Sequence, residues 1–109
     1  MGVRFGRALR GWLTADAELV YELRDEGMLK LFFSDVAPES RIENIRAMRA
    51  QYERKRAQLC ALEAKAGEIE SGPSLTLEIG LGVMGWLIDW CDTTERRLVT
   101  ETDESKNEV

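Results

Sequence analysis

The feature that most constrains this sequence is a seven-residue apolar repeat between Pro38 and Glu70. Ile45, Tyr52, Leu59 and Ala66 form one seam, and Met48, Lys55, Leu62 and Ile69 form a second, with Lys55 its one charged member. These are a and d positions of a heptad pattern, which belongs to a helix wet on one side and docked on the other. A helix from Pro38 to Glu70 would run roughly 50 Å at about 1.5 Å per residue, too long for a compact monomer of 109 residues.

Ser71-Gly72-Pro73-Ser74 interrupts the pattern. Glycine suits the C-terminal turn, proline cannot continue the helix, and Ser74 is placed to cap the next one. So short a connection implies an antiparallel hairpin. The following segment, Leu75 to about Val99, repeats the heptad through Leu77, Leu81, Met84, Ile88, Cys91 and Leu98. A second stripe, Val83, Leu87 and Trp90, runs beside it, with Ile79 and Trp86 adding breadth. A surface this wide needs two neighbours. The hairpin partner supplies one, and a second copy of the chain is the simplest source of the other. The expected fold is all-α: a long, coiled-coil-like antiparallel hairpin with one or two short preceding helices, assembled as a homodimer. The expected dimer interface comprises Ile45, Met48, Tyr52, Leu59, Leu62, Ile69, Leu77, Leu81, Met84, Ile88 and Cys91.

Upstream, residues 3–13 set Phe5, Leu9, Trp12 and Leu13 at helical spacing with arginines between them. Residues 17–33 place Val20, Leu23, Met28, Leu31 and Phe32 on one stripe, predicting a second helix. Gly27 inside it reads as a weak point in preference to a site of close helix approach. Ser34 to Pro38 is a breaker; Pro38 suits a first helical turn, and Ser40-x-x-Glu43 reads as a capping box. The acidic tail 100–109 is expected to be disordered.

Several function classes fall away. A net charge of −5 argues against this chain alone gripping a nucleic-acid backbone. The sequence contains no histidine, which removes Ser-His-Asp and Cys-His catalysis and every His-bearing zinc site. Cys60 and Cys91 lie far apart without a Cys-x-x-Cys arrangement, fitting a reduced, cytoplasmic setting and neither a disulfide framework nor a metal cage. The longest uncharged apolar run, Ile79 to Ile88, is half of the roughly 20 residues a membrane span needs. The carboxylate pairs Asp25/Glu26 and Asp89/Asp92 read as solvated charges, since no activated nucleophile stands near them. No enzyme activity, metal or cofactor is expected. Arg54-Lys55-Arg56 is the one basic cluster, read as a solvated face before a phosphate contact.

Trp86 and Trp90, four apart, share a helix face. They read first as packing, and they are the candidate effector-binding residues as a wall for a planar ligand. Gly80, Gly82 and Gly85 read as admitting a closely approaching helix. Met48 and Met84 read as gap fillers. Tyr52 is expected at the interface with its hydroxyl reaching water. Lys55 either fixes register or lays its stem along the seam with its head in solvent.

The segment from Glu22 to Asp35 (ELRDEGMLKLFFSD), followed by Pro38-Glu39, a long charged helix, Gly80-Leu81 and Trp90-x-x-Thr93, resembles the C-terminal domain of PadR-like transcriptional regulators, also called the virulence activator alpha C-terminal domain. Gly6 to Leu13 (GRALRGWL) resembles the linker that follows the winged helix-turn-helix in such proteins. The resemblance implies a linker helix over 1–16, a dimerisation and effector domain over 17–99, and the tail. It also implies a homodimer whose long helices set the separation of two DNA-reading domains, with sensing of small aromatic or hydrophobic compounds near the dimer centre in some members. The DNA-reading domain is missing from these residues, so DNA would be reached only through it. A rival expectation is a stand-alone helical module that pairs with an intact regulator.

Overall fold

The computed structural model describes residues 3–66 and 70–107, and among them the chain is helical without a strand. The elements are α1 (Val3–Thr14), α2 (Glu26–Phe32), α3 (Arg41–Ala66) and α4 (Gly72–Asn107), with two short 3-10 turns, Ser34–Val36 and Pro38–Ser40, between α2 and α3.

α3 and α4 form the expected antiparallel hairpin. Two ion pairs fix its register: Arg46 with Glu95, and Arg49 with Asp92, whose Oδ2 also accepts from Nη2 of Arg49 at 3.3 Å. Between these charged edges the core is Ile45, Met48 and Tyr52 of α3 against Leu87, Ile88 and Cys91 of α4. Met28 and Leu31 of α2 close one side of it, and Met84, Trp90 and Leu98 pack at its margins. Thus α2 packs on α3 at the edge of the hairpin core.

Gly27 is what lets it do so. A Cβ at this position would come within 2.5 Å of Cγ of Met48, a buried side chain. The sequence expectation of a weak point therefore gives way to close approach. Asn44 Nδ2 donates to the Gly27 carbonyl at 3.1 Å and ties the same junction.

Four boundaries differ from the sequence reading. Residues 15–25 are irregular, so the helix expected over 17–33 begins only at Glu26. Leu19, Val20 and Tyr21 are fully or nearly fully exposed, and short helices in water need an apolar face docked against something. Asp25 fixes the start, its Oδ1 accepting from the Met28 N–H at 3.1 Å as an N-cap. At α4, Ser71 and not Ser74 is the cap: its Oγ accepts from Ser74 N–H at 3.3 Å, while the Ser74 hydroxyl accepts from Ser71 N–H at 2.8 Å. Glycine and proline consequently occupy the first turn, where a missing N–H is no loss. Finally, the tail expected to be disordered continues α4 to Asn107, with Thr100 and Thr102 hydroxyls donating to the carbonyls of Arg96 and Leu98. The capping box expected at Ser40 is also replaced, since that hydroxyl donates to the Ala37 carbonyl.

The molecule is elongated, 72 × 31 × 20 Å, with a radius of gyration of 20.1 Å. A compact domain of this size would have about 13 Å. No helix among the described residues is long and apolar enough to cross a membrane.

Candidate functional site

The structure divides the eleven expected interface residues into three groups. Ile45, Met48, Tyr52, Ile88 and Cys91 are buried inside the chain's own hairpin. Their seam is spent within one subunit, because the antiparallel α4 offers the same heptad partner that a second chain would. Leu59, Leu77, Leu81 and Met84 are half-buried, and Leu62 is exposed. Ile69 lies outside the described residues.

What remains open is the outer face of α4. Leu75, Ile79, Val83 and Trp86 recur at three- and four-residue intervals, so they share one side of the helix. All four are exposed, Ile79 and Trp86 by 68% and 64%. Beside them, a Cβ on Gly82 or Gly85 would meet nothing within 4 Å, whereas one on Gly80 would meet Cδ1 of Leu59 at 3.1 Å. Gly80 therefore serves the hairpin, and the two glycines after it face open space within one chain. The sequence counted Trp86 and Trp90 as a pair. The structure gives them different surroundings. Trp90 packs at the margin of the core, while Trp86 projects outward.

Trp86 also borders a groove of about 840 Å³ between α3, α4 and the segment leading into α2. Buried Tyr52 and Leu87 form its floor, and half-buried Met28 and Met84, with Val83 and Trp86, form apolar walls. Its exposed polar lining includes Arg24, Gln51, Arg54, Lys55 and Gln58. Lys55, the charged residue of the d seam, stands here with its side chain exposed. Trp90 takes no part in the groove.

Tyr52 departs most from expectation. Its hydroxyl does not reach water at the edge of a dimer seam; it donates to Oδ2 of Asp25 at 2.6 Å. Burial, and then the neighbouring Asp25 carboxylate, hold its phenol well above the usual range for tyrosine, so it stays protonated. Asp25 thereby caps α2 with one oxygen and anchors it to α3 with the other. This link joins residues 27 apart and follows no local pattern, so sequence reasoning had no signal for it. Burial likewise raises the Cys91 thiol above its ordinary value, with a further contribution from Asp92, whereas Cys60 is exposed. Among the described residues no group of three or more acidic or sulfur ligands is placed to hold a metal ion.

Comparison with the curated proteins and with the solved structures returns no match. A match to the family described as virulence activator alpha C-term runs over residues 23–99. It starts just before the Asp25 cap, takes in α2, α3 and the intervening turns, and ends within α4. α1, with its arginines and its exposed Phe5, Trp12 and Leu13, lies outside the matched region. With most of its length matched and a helical hairpin filling that length, the chain belongs to the virulence activator alpha C-term family.

Proposed function

We propose that this chain is the dimerisation and effector-sensing domain of a PadR-like transcriptional regulator. DNA would be read by a winged helix-turn-helix outside these 109 residues. The observation that carries the reading is the apolar outer stripe of α4, Leu75, Ile79, Val83 and Trp86, which the described residues of its own chain leave 46–68% exposed. The whole chain exposes 9545 Å², where a compact monomer of its mass would expose roughly 6,100 Å². Part of that excess belongs to α1 and residues 15–24, all of them exposed, so the α4 stripe and not the total area carries the reading. Family membership and the resemblance to PadR-like proteins supply the regulatory context, and free thiols such as that of exposed Cys60 suit the cytoplasm.

In such a protein an effector acts by changing the angle or spacing between subunits, since only that movement reaches domains attached at the ends. Trp86 is the residue through which binding and association would meet, because it belongs to both the groove and the outer face. The test is a fusion of the chain to a DNA-reading domain that represses a reporter only when paired. The expected result is restored repression, lost on Ile79→Glu with Val83→Glu. A soluble, stably expressed fusion that fails to repress overturns the proposal.

A further inference from the structure

Every residue of α1 is exposed, and none joins the core that α2, α3 and α4 share. The helix is nonetheless sharply two-sided. At about 100° per residue, Phe5, Ala8, Leu9, Trp12 and Leu13 fall within an arc of about 140°. Arg4, Arg7 and Arg10 occupy about 120° on the opposite side. The helix holds no carboxylate, although the chain as a whole has a net charge of −5. None of the three arginines has an ion-pair partner among the described residues.

Large apolar side chains are thus left in water, Trp12 by 75%. A helix of 12 residues is marginal on its own, and Gly6 and Gly11 weaken it further, so it needs a surface that receives the apolar face along its whole length. The charges say which surface. Arg4 and Arg10 border the apolar face on its two sides, so a flat anionic surface meets both edges at once. Arginine heads then reach polar headgroups while their stems stay with the apolar side, and the amphipathic ring of Trp12 suits the boundary between headgroups and acyl chains. The outer stripe of α4 on a second copy is the rival occupant and fits less well. The carboxylates within its span, Glu78 and Asp89, share a single edge of that helix.

We propose that α1 lies in the plane of an anionic lipid surface with its apolar face inward. At about 18 Å it is too short to span a bilayer, so it rests on the surface and does not cross. The proposal stands apart from the dimer reading, because α1 and the outer stripe of α4 are different faces.

The full chain is floated with phosphatidylcholine vesicles, with and without about a third phosphatidylserine, each arginine at such a surface strengthening binding about fivefold. Anionic vesicles should therefore be bound at least about tenfold more tightly than neutral ones. Replacing Arg4, Arg7 and Arg10 by glutamine should erase that difference, and Leu9→Glu with Leu13→Glu should abolish binding. Both variants should keep the parent's urea midpoint, since α1 lies outside the core. Ile79→Glu with Val83→Glu should leave vesicle binding in place. The proposal is overturned by an absence of binding to anionic vesicles, by equal binding to neutral ones, by binding that survives Leu9→Glu with Leu13→Glu, or by binding lost with Ile79→Glu and Val83→Glu. Sedimentation without lipid separates the second copy as occupant. A parent dimer that ignores vesicles and dissociates on Leu9→Glu with Leu13→Glu seats α1 on its partner and removes the lipid proposal. A monomer that binds anionic vesicles keeps it and removes the dimer.

Discussion

The hydroxyl of Tyr52 on α3 donates a 2.6 Å hydrogen bond to Asp25, the residue that caps α2. Together with the Asn44–Gly27 bond, this contact ties the short helix to α3 beside the groove that Tyr52 and Asp25 both line. Tyr52→Phe keeps the ring and removes the bond, so the chain should lose about 1–2 kcal/mol, read as a lower midpoint in urea. The pH dependence has a definite sign. A phenol raised in the folded state contributes fully below its unfolded value of about 10, and its contribution is lost as pH rises beyond that. Parent and variant midpoints should therefore run parallel up to about pH 9 and converge above it. Parallel curves through pH 11 would contradict the assignment.

Gly27→Ala should destabilise the fold although alanine favours helices by about 1 kcal/mol. The added methyl would enter the space of the Met48 side chain, which the core holds in place. A net loss of about 1–2 kcal/mol is expected by chemical denaturation, with the amides of α2 losing most protection from hydrogen exchange. A stabilised variant would show that α2 does not pack as described.

The two tryptophans should separate folding from association. Trp90→Ala removes a side chain packed on the core and should cost about 2–4 kcal/mol of folding stability. Trp86→Ala should change the stability of the isolated subunit by less than about 0.5 kcal/mol, yet weaken self-association by at least tenfold. Denaturation and sedimentation on both variants test this, and equal effects on both properties would refute it.

Thiol chemistry reports on the core directly. Cys60 is exposed, whereas Cys91 is fully enclosed and its thiol is raised by burial. An aromatic disulfide reagent should titrate one thiol in the native chain within minutes and the second only on unfolding.

The hairpin was legible because a period of seven survives in the residues themselves and the 71–74 breaker is too short for anything but a reversal. The same pattern could not say which partner fills the seam, since an antiparallel α4 and a second chain present equivalent apolar rows to Ile45, Met48 and Tyr52. Residues 17–25 misled for a related reason: Val20 and Leu23 fall at helical spacing, but nothing among the described residues buries them. The acidic end of α4 was read by composition, although it follows the helix without a breaker and its threonines bond back to the preceding turn. Trp86 was found from its position on α4. The groove it borders depends on how α2 packs on α3, and that in turn depends on Gly27 and on a contact between residues 27 apart.

Sedimentation equilibrium on the purified chain tests the central claim most directly, because the outer face of α4 either meets a second copy or stays wet. The expected mass is twice 12.4 kDa at micromolar concentration, falling to a single subunit when Ile79 and Val83 are both replaced by glutamate. A parent chain that sediments as a well-folded 12.4 kDa monomer at hundreds of micromolar would contradict the account.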